Sequence, residues 1–412
     1  MSGGDESDRR PWPTRPPRAD DGHVPDPDRY GAEIYAGGPD GRVPALPTDP
    51  SRLEVAARRV LPAHAFDYVA GGAGSGATMR ANRAAFDRVG LVPRMLRGNH
   101  VRDWSTTVLG TPMAAPLLLG PVGVQHLLHD DGELATARAA AALGVPTVLS
   151  TASSHTTEEV AAASGDGPRW YQLYRPTDDD VTASLLARAR AAGFTVLVVT
   201  LDTWTLGWRP HDLDRAYLPF LRGVGTAIPF SDPAFRAGLA RPPEDDLAAA
   251  VRHRQRLFTG TAWGWDRLAP IRAQWPGPVV VKGIQRAEDA ETALRLGMDG
   301  VIVSNHGGRQ VDRAVGALSV LPGVVASVAG RAPVLFDSGV RTGADAALAL
   351  ALGADAVLVG RPYAYGLALG GQAGVHHVLR CLLAELDTTL ALAGYRDLAE
   401  LRSARDVVAG AP

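Results

Sequence analysis

Eight short apolar runs, each followed by a segment of helical pattern, dominate the chain beyond residue 113 and limit what it can fold into. The runs are Leu117–Gly120, Pro146–Ser150, Trp170–Leu173, Val196–Thr200, Val279–Lys282, Val301–Ser304, Val334–Asp337 and Ala356–Gly360. Helical patterning covers 131–143, 156–163, 178–192, 263–274, 286–296, 317–329 and 342–352, and a last helix begins near 362. Strands apolar on both faces and separated by helices belong to a parallel sheet covered on both sides. Eight such units in about 250 residues match a closed (β/α)8 TIM barrel. A doubly wound open sheet, the alternative, more often has fewer units and a glycine fingerprint after its first strand.

Two stretches depart from this repeat. Ten of the 31 prolines lie in the first 50 residues. Residues 1–50 therefore read as a proline-rich segment, largely disordered or extended, ahead of a barrel domain at 51–412. Residues 51–72 read as two short helices, with Ser51 capping the first, Pro62 opening the second and Gly71-Gly72 ending it. The second departure follows strand four. Thr200 and the next helix, near Trp263, are about 60 residues apart, where connections usually run about 4–6. An insertion at about 203–262, with Trp204, Trp208, Tyr217 and Phe220 in its first half, reads as a lid or an oligomer contact.

Composition removes several function classes. The formal net charge is -2, which leaves no broad basic surface for nucleic acid. The single cysteine, Cys381, allows no disulfide framework and no multi-cysteine metal site, so no metal is expected. No apolar stretch approaches the roughly 20 residues of a membrane span. With no signal-peptide pattern either, a cytoplasmic protein is the expectation. His376-His377 on the terminal helix has no carboxylate at ligand spacing, and Gly71–Gly76 lacks the Lys-Ser/Thr of a phosphate loop.

In a (β/α)8 barrel the site forms at the carboxyl ends of the strands. Every such end here carries polar residues or glycine: Gly120–Gly123, Ser150-Thr151, Gln172–Tyr174, Thr200–Asp202, Lys282-Gly283, Ser304–Arg309, Asp337–Arg341 and Gly360-Arg361. Gly339 with Arg341 and Gly360 with Arg361 lie after strands seven and eight, where this fold commonly binds phosphate. His306, flanked by Asn305 and two glycines, is the candidate base, with Asp202 as a carboxylate partner that would fix its tautomer. Arg309 and Arg209 suit a bidentate clamp on a substrate carboxylate, with a lid-to-barrel salt bridge as the other reading of Arg209. Lys282 suits either charge stabilisation beside a cofactor ring or a Schiff base.

Ser304-Asn305-His306-Gly307-Gly308-Arg309-Gln310, with Gln172-Leu173-Tyr174, Val281-Lys282-Gly283, Asp337-Ser338-Gly339-Val340-Arg341 and Gly360-Arg361-Pro362, resembles the FMN-dependent 2-hydroxy acid oxidase and dehydrogenase family from about Leu53 to Leu401. The resemblance implies FMN in the barrel mouth. Pro121, Val122 and Gly123 would lie along its ring, and Ser150, Gln172, Thr200 and Lys282 would contact it. Ser304, Asp337, Ser338, Gly339, Arg341, Gly360 and Arg361 would hold its ribityl chain and phosphate. It implies His306 as base with Asp202 behind it, Arg209 and Arg309 on the substrate carboxylate, and Tyr68 and Tyr174 about the substrate. The partners implied are a small 2-hydroxy acid and dioxygen, in a homotetramer or homo-octamer.

Asp202–Pro210, Pro219–Gly223, Leu369–Gly371 and the long insertion resemble the lactate 2-monooxygenase branch, and Gly123 stands where many oxidases of the family have alanine. That branch implies oxidative decarboxylation. The alternatives are an oxidase releasing 2-oxo acid and hydrogen peroxide, and a dehydrogenase of the mandelate type. Ala152 stands where relatives carry a bulkier Trp or Leu over the pocket, which implies a substrate larger than lactate.

Overall fold

The computed structural model describes residues 29–98, 100–260, 262–404 and 407–410. Eight parallel strands close into a barrel: β1 (Leu117–Leu119), β2 (Thr147–Ser150), β3 (Arg169–Leu173), β4 (Leu197–Thr200), β5 (Val279–Ile284), β6 (Gly300–Val303), β7 (Val334–Phe336) and β8 (Ala356–Val359). Each pairs with its neighbour in sequence, and β8 returns to β1 through Leu358 beside Leu118. All eight expected strands are present, within two residues at either end. The (β/α)8 architecture follows, and the open doubly wound sheet is excluded.

Alternation along the strands sorts their residues into two layers. Leu118, Val148, Trp170, Val198, Val280, Ile302, Leu335 and Leu358 form one buried cluster inside the barrel. Their sequence neighbours, such as Leu117, Leu149, Val279 and Val281, pack outward against the helices. Side chains on a strand repeat every two residues. The next inward positions are therefore Gly120, Ser150, Gln172, Thr200, Lys282, Ser304, Asp337 and Gly360. Apolar packing stops at that level and a polar ring begins. At the opposite end a hairpin of Thr106–Val108 and Thr111–Met113 closes the barrel. Val108 and Met113 join the inner cluster, and Trp170 Nε1 donates to Thr111 Oγ1 at 2.9 Å.

Among the described residues four α-helices precede the barrel: α1 (Arg29–Gly37), α2 (Pro50–Val60), α3 (Ala63–Ala70) and α4 (Ala77–Asp87). Asp49, not Ser51, caps α2; its carboxylate accepts from Ser51 N at 2.8 Å, and Pro50 occupies the first turn. Pro62 precedes α3 and Gly71 ends it. Within the stretch read as disordered or extended, α1 is helical. It docks on the terminal helix Arg361–Leu392 through Tyr30 Oη and His377 Nδ1 at 2.5 Å and through Arg380 and Glu33 at 2.7 Å. The expectation for residues 1–28 lies outside the described residues. Among the described residues no helix is long and apolar enough to cross a membrane.

The insertion is a packed helical layer. Three short helices open on proline, at Pro210–Leu213, Pro219–Arg222 and Pro233–Ala237, and a longer one spans Leu247–Phe258. Fully buried Asp232 fastens it: Oδ1 accepts from Ala234 N and Phe235 N, and Oδ2 accepts from Ser184 Oγ at 2.7 Å.

Candidate active site

The polar ring floors a cavity at the carboxyl end of the barrel. Tyr68, Pro121, Val122, Gly123, Ser150, Ala152, Tyr174, Arg209, Lys282, His306 and Arg309 line it together with Asp337–Arg341, Gly360 and Arg361. Asp202, Gln172, Thr200 and Ser304 stand just behind that surface.

His306 has φ +58, a strained angle for a residue with a Cβ. Its amide is held by Ser304 Oγ at 3.0 Å, and its neighbours Asn305 and Gly307 both donate to Ser338 Oγ, at 3.1 and 3.0 Å. Nδ1 lies 2.8 Å from Asp202 Oδ1 and 3.1 Å from Thr203 Oγ1, which itself donates to Asp202 Oδ1 at 2.8 Å. Nδ1 therefore carries the proton and Nε2 is left as the basic nitrogen. Burial holds the imidazole below the usual histidine pKa, opposed by Asp202 and reinforced by Lys282 and Arg209. Burial works against ionised Asp202, but His306, Lys282 and the hydrogen bonds outweigh it and keep its carboxyl far below the ordinary range. Lys282 Nζ donates to Ser304 Oγ at 3.0 Å and lies 3.4 Å from Asp337 Oδ2. Burial disfavours its charge, and Asp337 and Asp202 more than restore it.

Arg309 and Arg361 grip the end of α3. Arg309 Nη1 donates to Tyr68 O at 2.6 Å and Gly71 O at 2.9 Å; Arg361 donates to Val69 O at 3.0 Å and Gly71 O at 2.9 Å. The last carbonyls of a helix lack partners within it, and guanidinium groups satisfy them here. This fixes Tyr68 in the cavity, its ring 5.1 Å from the Arg309 Cζ. Burial lowers Arg309 to about 9 and Arg361 to about 10; Arg209 next depresses Arg309, and Arg341 next depresses Arg361. Arg209 donates from Nε to Arg309 O at 3.1 Å and from Nη2 to Gln310 Oε1 at 2.8 Å. Each member of the expected clamp thus spends some donors within the protein, Arg309 on the end of α3 and Arg209 on the loop after β6. Arg309 Nε and Nη2, and Arg209 Nη1, have no partner among the described residues.

On the other wall a Cβ placed on Gly123 would sit 2.8 Å from Ala152 Cβ and 2.9 Å from Ala152 O. Tyr174 is buried, which raises its pKa to about 12. Between β7 and the terminal helix, Gly339 has φ +98, and a Cβ there would press on Asn82 and Phe86. Gly360 stands immediately before the first turn of the terminal helix, and Gly360, Arg361 and Ala364 line the cavity together with Arg341.

The sequence profile of the FMN-dependent dehydrogenase family matches residues 57–408. An FMN-dependent alpha-hydroxy acid dehydrogenase of Penicillium citrinum, qulF, is 50% identical over 375 residues, covering 90% of this chain and 93% of that protein. The chain belongs to the FMN-dependent dehydrogenase family. The 4-hydroxymandelate oxidase of Amycolatopsis orientalis is 41% identical, covering 85% of this chain and 95% of that protein. A crystal structure of mandelate oxidase superposes with a TM-score of 0.79 at 38% identity, covering 89% of this chain and 99% of that one.

The residues at the mouth of the barrel suit FMN. Gln172 Nε2 and Thr200 Oγ1 are buried at the cavity floor without a hydrogen-bond partner, as donors reserved for a ligand would be. Arg341 and Arg361 repel one another, with Glu54 as a carboxylate acting on both, beside the N-terminus of the terminal helix. That arrangement attracts a phosphate.

Several residues that shape the site carry no motif. Asn82 on α4 exchanges two hydrogen bonds with Asn305, at 2.9 and 2.6 Å. Glu133, just after β1, has one carboxylate oxygen that accepts from Gln125 N and Ser154 N, both at 3.1 Å, tying the loops that carry Gly123 and Ala152. Its other oxygen is buried without a partner, and burial raises its pKa to about 7. Unfolded Glu ionises near 4.5, so the folded state is penalised progressively as pH rises from about 4.5 to about 7, by about 3 kcal/mol in all. Denaturant titrations at pH 5 and pH 8 should show the wild type losing stability relative to Glu133→Gln by about that amount. Parallel curves for the two proteins would count against it.

Proposed function

We propose that this chain oxidises a 2-hydroxy acid bulkier than lactate to its 2-oxo acid, with dioxygen as the acceptor and hydrogen peroxide as the second product. The reading is carried by one observation: His306, Tyr68, Tyr174, Arg209 and Arg309 share a cavity whose lining includes the small residues Gly123 and Ala152. FMN, when bound, supplies the acceptor for the two electrons that leave the substrate's C2.

Pro121–Gly123, Ser150, Gln172, Thr200 and Lys282 would hold the ring, Ser304 and Asp337–Gly339 the chain, and Arg341, Gly360 and Arg361 the phosphate. The unspent donors of Arg209 and Arg309 take the substrate carboxylate, and this fixes the C2 hydroxyl toward His306. Nε2 of His306 accepts the hydroxyl proton, and Asp202 stabilises the resulting imidazolium. Tyr68 and Tyr174 bound the same space with their hydroxyls. Ala152 leaves room for an aryl or long alkyl side chain, in keeping with the names of the mandelate and 4-hydroxymandelate oxidases.

A second reading is oxidative decarboxylation: the 2-oxo acid stays in place and hydrogen peroxide converts it to the acid one carbon shorter, carbon dioxide and water. It is favoured by the Asp202–Pro210 resemblance and by the insertion, which sets Leu206, Leu218, Phe220 and Phe258 on the cavity. Aerobic product analysis separates the two. A 2-oxo acid with stoichiometric peroxide supports the oxidase, and the shortened acid replaces it with the monooxygenase. Flavin that bleaches anaerobically but does not recover its colour in air would overturn both and leave a dehydrogenase. The tetramer or octamer expected from the resemblance is read by light scattering.

Asp202→Asn tests the pair. Asp202 raises the pKa of His306, so its loss weakens the base. The acid limb of the kcat/KM profile should move to lower pH and the plateau fall by about 10–100-fold. An unmoved limb would argue that Asp202 does not set the basicity of His306.

A further inference from the structure

The helix Leu247–Phe258 of the insertion places one cation in the cavity that neither the carboxylate clamp nor the His306 pair uses. Arg254 is 8% exposed and lines the cavity. Its Nε is buried with no hydrogen-bond partner, and no carboxylate pairs with it among the described residues. Aromatic faces alone hold it: its Cζ lies 4.0 Å from the Phe220 ring centroid and 5.4 Å from that of Phe258. Burial lowers its pKa to about 10, and the groups opposing that shift are Tyr68 and Tyr174, both substrate-cavity residues. A buried guanidinium without an anion is costly, and ring faces offset only part of the cost. Of the lid residues lining the cavity near it, Leu218, Phe220 and Phe258 offer no acceptor side chain, and no hydrogen bond from it to Gln255 or Thr259 is formed among the described residues.

Resting on the reading of this cavity as a 2-hydroxy acid site, we propose that Arg254 receives a second anion, a carboxylate at the far end of the substrate's side chain. The preferred substrates are then 2-hydroxy diacids with an apolar spacer. Arg209 and Arg309 take the carboxylate beside the reacting carbon, and Arg254 takes the distal one from the lid.

The test is steady-state kinetics of the holoenzyme on matched pairs: mandelate against 4-carboxymandelate, and 2-hydroxyhexanoate against 2-hydroxyadipate. The wild type should favour the diacid in at least one pair. Arg254→Met should shrink that ratio by about 30-fold or more, mainly through KM, the cost of truncating one partner of a buried charge pair. Arg254→Lys should keep part of it. Equal kcat/KM within both wild-type pairs overturns the proposal, and so does an Arg254→Met loss shared equally by monoacid and diacid. The wild-type ratio stands even if the methionine variant loosens the lid. Bleaching by monoacids with no gain from diacids removes the Arg254 assignment alone, whereas no bleaching by any of the four removes the 2-hydroxy acid reading as well.

Discussion

His306→Asn should leave a yellow protein that the substrate no longer bleaches. Asparagine keeps a polar side chain at this position but has no group that takes up a proton near neutral pH. The buried anchors of the backbone, Ser304 Oγ to the His306 amide and Ser338 Oγ to the amides of Asn305 and Gly307, do not involve the imidazole. Loss of the base should slow anaerobic reduction by about 10³-fold, within the usual range for general acid–base groups. Stopped-flow bleaching measures it, and the flavin absorbance of the resting protein reports that the cofactor is retained. Reduction within tenfold of the wild type would remove His306 from the proton transfer.

Ala152→Trp should convert a broad pocket into a narrow one. Ala152 is 4% exposed on the cavity wall, and its backbone is fixed by Val124 N to Ala152 O at 2.8 Å and by Ser150 Oγ at 3.1 Å. An indole there projects into the space assigned to the substrate side chain, because Ala152 lines the cavity and Gly123 and Gly225 already pack closely against it. We expect kcat/KM for mandelate to fall by about 100-fold or more while lactate changes by less than about tenfold, since each carbon group of misfit is worth about 1–3 kcal/mol. An equal loss on both substrates would point to a distorted wall instead of a size filter.

The barrel was legible because its strands are buried on both faces, and runs such as Val196–Thr200 and Val279–Lys282 admit little else. The polar ring was legible for a related reason. Counting two residues on from each inward apolar position lands on Ser150, Gln172, Thr200, Lys282, Ser304 and Asp337, which are the residues the motifs had singled out. The lid was visible only as a gap in the repeat. Three of its helices are short and open on Pro210, Pro219 and Pro233, and segments of four or five residues carry no helical period to detect; the longer helix Leu247–Phe258 was missed as well. Arg254, Glu133 and Asn82 stayed hidden because their roles depend on contacts with distant parts of the chain, as in the pair Asn82 and Asn305. The motif around Arg309 marked the right cavity, but no sequence pattern indicated that one of its arms would hold the end of α3.

The hairpin at Thr106–Met113, stitched to Trp170, plugs the far end of the barrel. On the proposed function, fuel, gas and spent product would share the opposite threshold, and a molecule resting there would delay the one behind it. The helices over that threshold would then govern traffic as well as fit, and the time a spent molecule lingers would decide what the arriving gas meets.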